Sequence, residues 1–245
     1  MKKFLTFVCL GGLLFAGDFE DNFKETIKNN FKQDIEIISS DKLKGVKGLR
    51  IAVFKIDSSA IPSFVSEDGK SFFVVSTQEP FLLADESDKE LLSKRINDVN
   101  KINETAKNKI YNDIFDKVPK EAGILLKSQN KTDELLTIVT DPDCPYCRAE
   151  LANLDNRLKS VNVKMIFAPV HNETAFIKSA LILEETKNLK DNAKIISVVQ
   201  KYYQDVNLSK EQQQTKTDIV HQAADTIFGS GLIRSVPFLH NGKLK

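Results

Sequence analysis

The chain has 245 residues, with 35 Lys and Arg against 34 Asp and Glu and a formal net charge of +1. That balance gives no electrostatic footprint for nucleic acid or an anionic membrane surface. Three cysteines are too few for a scaffold stapled by several disulfides.

Met1-Lys2-Lys3 followed by the uncharged residues 4–16 reads as a secretory signal: two lysines, an apolar core too short to span a bilayer, and Ala16-Gly17 ahead of the acidic Asp18-Phe19-Glu20-Asp21. Residues 1–17 are therefore expected to be removed on export to an oxidising compartment. Cys9 lies inside the apolar core and goes with them. The remaining 228 residues (245 minus 17) suit two domains, and loss of Lys2 and Lys3 leaves 33 basic against 34 acidic groups, a charge of −1.

Phe19, Phe23, Ile27 and Phe31 recur every four residues and predict a short amphipathic helix over 18–31. Four strand-like runs follow, at 35–38, 49–56, 61–66 and 71–76, with Asp68-Gly69 as a hairpin signal between the last two. One helix and a few strands leave the second sheet face uncovered, with Phe54, Phe72 and Val74 among the apolar residues exposed, so this unit is expected to pair with a second copy of itself. Residues 87–116 carry a thin apolar stripe, Leu91, Leu92, Ile96, Val99, Ile102, Ile110 and Ile114, among many charges and without Gly or Pro. They predict a long linking helix that ends at Val118-Pro119.

Residues 123–128 and 135–140 predict strands separated by an Asn130-Lys131-Thr132 turn, and the second strand delivers Asp141-Pro142-Asp143-Cys144-Pro145-Tyr146-Cys147-Arg148. Pro145 suits the first position of a helix, since its fixed φ matches and its missing N–H has no helical partner there. Cys144 then occupies the N-cap, where unpaired backbone N–H groups and the positive end of the helix dipole favour a thiolate. Cys147 lies one turn further on the same side, deeper, and close enough to close a small disulfide ring. The outer sulfur attacks and the inner one resolves.

Other readings of the pair are weaker. Zinc needs four ligands, and Cys9, His171, His221 and His240 show no ligand spacing. Covalent haem needs a His where Arg148 stands. A structural bridge closing so short a loop would remove little unfolded-state entropy. No cofactor or metal is expected.

Beyond the pair, Leu151, Leu154 and Leu158 continue the Cys147 face of one helix, residues 161–167 give a strand, and 172–228 read as helical throughout. Gly229-Ser230-Gly231 closes that insertion. Val236-Pro237-Phe238-Leu239 starts a returning strand with Asn241-Gly242 as a hairpin turn.

Strand, Cys-Pro-Tyr-Cys, helix, strand, helical insertion and Ser235-Val236-Pro237-Phe238 together resemble a thioredoxin-fold domain. With the N-terminal unit and the long helix, the chain resembles the DsbC/DsbG family of periplasmic disulfide isomerases over nearly its whole exported length. Residues 65–70, Val-Ser-Glu-Asp-Gly-Lys, are similar to that family's dimerisation hairpin, and 140–147 to its active-site junction. The resemblance implies an α+β architecture: a cystatin-like dimerisation domain over 18–86, a linker helix over 87–117, and a thioredoxin-like catalytic domain with a helical insertion over 118–245. It implies Cys144 as attacking thiolate, Cys147 as resolving thiol, Pro237 as a cis-proline that sets Val236 against the disulfide, and Pro145, Tyr146, Val236 and Pro237 as substrate-binding residues. It also implies a homodimer, unfolded or wrongly bridged exported proteins as substrates, and a membrane redox partner that recycles the pair.

The pattern departs in three places. The run 135–140 lacks the buried acid that thioredoxin-like enzymes often carry there, which leaves the proton acceptor for Cys147 unassigned. Val236 stands where isomerases usually have Thr and where oxidases of the DsbA kind more often have Val. The family pattern continues past Lys245 with a further strand and helix. Disulfide isomerase is the leading reading; a disulfide oxidase, or a periplasmic chaperone with an incidental Cys pair, are the alternatives.

Overall fold

The computed structural model describes residues 19–76 and 83–244. The expected signal at 1–17 lies outside the described residues. The chain divides into two compact units, Met1–Ala106 and Lys107–Lys245.

The first unit opens with α1 (Phe19–Phe31), which buries Phe19, Phe23 and Ile27 and leaves Phe31 exposed. It is followed by an antiparallel meander of β1 (Glu36–Lys42), β2 (Leu49–Ile56), β3 (Ser59–Ser66) and β4 (Phe72–Val74) in spatial order β1-β2-β3-β4. Gly69 makes the β3–β4 turn at φ +74°, and a side chain there would meet the Phe19 carbonyl 2.5 Å away, so no other residue fits without a backbone shift.

Successive side chains of a strand point to opposite faces, and the four buried residues of β2 show the consequence. Ala52 and Phe54 pack with Phe23 and Ile27 of α1, while Ile51 packs with Phe64 and Leu92, and Val53 with Ala60 and Val99. Leu92 and Val99 belong to α2 (Glu86–Phe115). The second face of the sheet is therefore covered by the first half of the long helix, contrary to the expectation of a bare face, and Phe54 is buried rather than exposed. Phe73 and Val74, on the edge strand β4, are exposed, as are Phe31, Ile38 and Val46.

The second unit takes the end of α2 and a second sheet in spatial order β5-β7-β6-β8, built from β5 (Gly123–Leu126), β6 (Glu134–Thr140), β7 (Asn162–Phe167) and β8 (Phe238–Lys243). β6 runs parallel to β7 and antiparallel to β8. The β6–β7 crossover carries α3 (Pro145–Leu151) and the single turn α4 (Leu154–Arg157), and places Cys147, Leu154 and Leu158 in the core. The face predicted for one helix is therefore shared by two pieces, broken at Ala152-Asn153.

The insertion is less helical than its pattern. It forms α5 (Glu173–Thr186), α6 (Asn192–Tyr202) and α7 (Asp218–Gly229), with 203–217 largely non-helical. Side-chain hydrogen bonds to the backbone explain the breaks. Asp191 accepts from the N–H groups of Ala193 and Lys194 and starts α6, and Ser209 and Gln212 cap each other reciprocally over a single 3-10 turn. Asn241-Gly242 makes no hairpin: β8 runs through both residues, which pair with Leu136 and Leu135 of β6. The sheet ladder overrides the turn propensity of the dipeptide.

Candidate active site

β6 is the strand that positions the cysteines. Its last five residues are buried, and at Thr140 the chain leaves the sheet and turns sharply. Asp141 makes that turn by accepting the Asp143 N–H on its own carboxylate at 2.8 Å and the Cys144 N–H on its carbonyl at 3.2 Å. Pro145 then opens α3, with Cys144 as N-cap in an extended conformation and its carbonyl taking the first helical bond, from Arg148 N–H at 3.1 Å. The Cys144 side chain does not cap the helix. Its Sγ lies 3.6 Å from the Val236 carbonyl, which accepts from the thiol.

Both cysteines are free thiols, Cys144 4% exposed and Cys147 1%. Burial pushes the Cys147 thiol up to about 12; hydrogen bonds from the Thr140 hydroxyl and the Asp141 backbone work the other way without offsetting it, and the neighbouring Cys144 sulfur adds to the rise. The inner sulfur therefore keeps its proton at neutral pH. The outer one stands at a helix start beside the Val236–Pro237 peptide, which is cis. An exposed Pro145 and Tyr146, the latter 75% exposed, cover the first turn of α3 on its solvent side. Cys144, Cys147, Val236 and Pro237 thus come together, while Pro145 and Tyr146 face outward.

A set of polar residues without any local sequence signal surrounds this turn. Asp141, one residue beyond the run 135–140, is fully enclosed. Its Oδ2 accepts the N–H groups of Val170 and His171 at 2.9 and 3.2 Å and faces His171 Nδ1 at 2.7 Å, which ties the loop after β7 to the active-site turn. Asp143 pairs with Lys178 of α5 at 2.6 Å, and the same ammonium donates to the Gln204 carbonyl at 3.2 Å. Lys178 is only 3% exposed although it is a lysine in the middle of a helix. Arg148 reaches Asp205 at 3.2 Å. On the inner side, Thr140 Oγ1 and the Tyr203 hydroxyl are 2.6 Å apart.

Two thiols one helical turn apart, one at the helix start and one enclosed beneath it, can exchange a disulfide with a third sulfur, the attacked sulfur and the leaving sulfur being held by the same helix.

A family model described as the N-terminal domain of disulfide isomerase DsbG matches residues 23–111. Among solved structures, DsbG of Helicobacter pylori is 28% identical, with 91% of this chain and 100% of that chain covered and a TM-score of 0.55. The catalytic domain of Proteus mirabilis ScsC is 16% identical, covering 55% of this chain and 86% of its own, with a TM-score of 0.38. For alpha-DsbA2 of Wolbachia pipientis the values are 15%, 56%, 87% and 0.37. No curated protein sequence matches the chain.

Proposed function

We propose, from the premise that this chain belongs to the DsbC/DsbG family of thiol–disulfide interchange proteins, that it is a dimeric disulfide isomerase acting on wrongly bridged exported proteins in the periplasm. That it is a thiol–disulfide oxidoreductase follows from the same relationship; the direction of exchange, the dimer and the residue roles are this reading's own.

Cys144 attacks a substrate disulfide. Its sulfur bonds to one substrate sulfur, the substrate S–S bond breaks, and the second substrate sulfur leaves as a thiolate that can attack elsewhere in the same molecule. Its attack on another substrate disulfide frees a further thiolate, and when a freed thiolate attacks the substrate sulfur bonded to Cys144, Cys144 leaves as a thiolate and the substrate is rearranged with no net oxidation. Cys147 gives the alternative exit: it attacks Cys144, closes the enzyme disulfide and releases a reduced substrate. The observation that carries the isomerase reading is the N-terminal unit, which the family model of disulfide isomerase DsbG matches over residues 23–111; the enclosed Cys147, whose thiol is pushed up to about 12 mainly by burial, serves that reading and an oxidase alike. A resolving thiol that holds its proton prolongs the mixed disulfide and gives the substrate time to rearrange. Pro145, Tyr146, Val236 and Pro237 are assigned to substrate binding, with the exposed Tyr146 ring offering apolar contact.

Dimerisation is assigned to the first unit. Phe73 and Val74, exposed on β4 at the edge of the described sheet, offer a strand edge and apolar side chains to a second copy. One observation favours a second reading, an oxidase. Val236, the residue whose carbonyl meets the Cys144 sulfur, offers no hydroxyl to that sulfur or to a bound peptide.

The test measures refolding of a scrambled multi-disulfide substrate beside oxidation of the same substrate when reduced. The isomerase reading expects the first activity to dominate, and expects Phe73→Asp/Val74→Asp to sediment as a monomer that keeps reductase activity on small disulfides and loses most isomerase activity. Oxidation dominating, or a monomeric native chain at micromolar concentration, would contradict it.

A further inference from the structure

Tyr203 follows the last residue of α6, in an insertion that contains no cysteine, and is 3% exposed. Its hydroxyl lies 2.6 Å from Thr140 Oγ1. Thr140 closes β6, is 1% exposed, and its hydroxyl works on the Cys147 thiol against the effect of burial, in the sense that favours the thiolate. A hydroxyl carries one proton. Once the Cys147 sulfur bears charge, the Thr140 proton points to it, and the Thr140 oxygen is left to accept from Tyr203. The phenol is suited to donate, because burial above all, with the nearby Cys147, Asp141 and Cys144 adding to it, holds its proton far beyond the ordinary tyrosine range. Sheet, active-site helix and insertion thus meet in a chain of two hydroxyls and one sulfur, shut off from solvent.

We propose that Thr140 and Tyr203 form a two-hydroxyl relay that hydrogen-bonds the Cys147 sulfur while it is a thiolate, Thr140 acting as a catalytic residue on the reacting atom and Tyr203 as the positioning residue that turns the Thr140 proton toward it. The inference rests on the assignment of Cys147 as the resolving sulfur. When a substrate thiol opens the Cys144–Cys147 disulfide, a bond forms between the substrate sulfur and Cys144 Sγ, the bond to Cys147 Sγ breaks, and its electron pair leaves on Cys147. The substrate sulfur is oxidised to the mixed disulfide, the enzyme pair is reduced, and the substrate's thiol proton ends on Cys147. In the reverse step Cys147 attacks Cys144 and its proton ends on the departing substrate sulfur. Neither hydroxyl loses a proton overall.

The timing sets the relay's signature. Cys147 is a disulfide sulfur in one resting state and a protonated thiol in the other, so a donor aimed at its thiolate acts on a species formed only in transit. Such an interaction speeds opening and closing by the same factor and leaves the equilibrium in place.

Four full-chain variants test it: Thr140→Val, Thr140→Ser, Tyr203→Phe and the double variant Thr140→Val/Tyr203→Phe. Stopped-flow follows opening of the disulfide by dithiothreitol and its re-closure by oxidised glutathione, and a glutathione titration gives the equilibrium constant. Thr140→Val is expected to slow both directions by about tenfold, the scale of one hydrogen bond to a charged group, with the equilibrium constant held within about twofold. Thr140→Ser restores the rates, and Tyr203→Phe falls between. The double variant removes both hydroxyls and so leaves none orphaned in the interior; it should be as slow as Thr140→Val while regaining stability, which separates the kinetic effect from simple damage to the fold. Unchanged rates in Thr140→Val and the double variant overturn the relay, as does an equilibrium that shifts by as much as the opening rate. A mixed-disulfide trap reads the underlying assignment separately: accumulation in Cys147→Ser with unchanged Thr140→Val rates sinks the relay alone, whereas accumulation in Cys144→Ser instead removes the sulfur assignment and the relay with it.

Discussion

Asp88 and Asn103 in the first unit close a turn and a strand edge, whereas in the second a set of buried polar groups converges on one helix start. Asp88 of α2 is 2% exposed, and its carboxylate accepts the N–H groups of Lys44 and Gly45 at 2.9 and 2.8 Å. Asn103 does the same work for Ala60, accepting its N–H and donating to its carbonyl. Each group satisfies backbone that the sheet leaves unpaired. In the second unit Asp141, Asp143 with Lys178, and Thr140 with Tyr203 all lie within or against the segment 140–144 that delivers Cys144. Polar groups spent on backbone make a scaffold; polar groups gathered around a sulfur make a place where charge can form and vanish.

The largest effect that follows concerns Cys147 itself. Its folded value of about 12 lies above the ordinary 9.0, so the folded state holds this proton more tightly than the unfolded chain. The stability tied to that proton is fully present below pH 9 and is lost as pH rises toward 12. Three units at about 1.36 kcal/mol each set an upper bound of roughly 4 kcal/mol. Urea unfolding of the reduced protein should therefore weaken more between pH 9 and 11 than that of Cys147→Ala, in which the group is missing. Parallel curves for the two proteins would break the contrast between a sulfur-centred second unit and a turn-closing first one.

Next in size is Lys178. Removing one partner of an enclosed ion pair leaves the other uncompensated, and Lys178→Met should cost about 3 kcal/mol in the reduced protein. The loss should fall on the second unit, since the pair joins α5 to the turn before Cys144. Hydrogen exchange of β2 and β3 amides should stay as in the native chain. A loss below about 1 kcal/mol, the worth of an exposed pair, would say that Asp143 keeps enough water to stand alone.

The same contrast decides what the sequence discloses. Phe19, Phe23 and Ile27 on one helix face, and the alternation of Ile51, Ala52, Val53 and Phe54 across a strand, are periodic signals within single elements, and nearly the whole first unit follows from them. The exception is the covering of its second face, which depends on where a distant stretch of α2 lies. The Cys-Pro-Tyr-Cys turn is local too, and its N-cap and first helical proline are legible residue by residue. The remainder of the site is built from pairs far apart in sequence: Thr140 with Tyr203 is separated by 63 positions, Asp143 with Lys178 by 35, and Asp141 with His171 by 30. Nothing in the periodicity of α5 marks Lys178 as other than one more helical residue, and nothing in that of α6 marks Tyr203, the residue just past its end, as a partner of Thr140. Asn241-Gly242 errs in the opposite sense, a strong local turn signal cancelled by its ladder with Leu135 and Leu136.

The most direct test of the division of labour between the two sulfurs is trapping in cells. Cys147→Ser and Cys144→Ser are expressed as full chains, free thiols are blocked with an alkylating reagent at harvest, and disulfide-linked adducts are resolved without reductant. Cys144 sits at the start of α3, with its sulfur against Val236, and Cys147 is enclosed one turn on with its proton held. Cys147→Ser should therefore accumulate mixed disulfides with substrate proteins, because the inner sulfur that releases them is missing, and Cys144→Ser should accumulate few. Equal trapping by the two variants, or trapping by Cys144→Ser alone, would contradict the account.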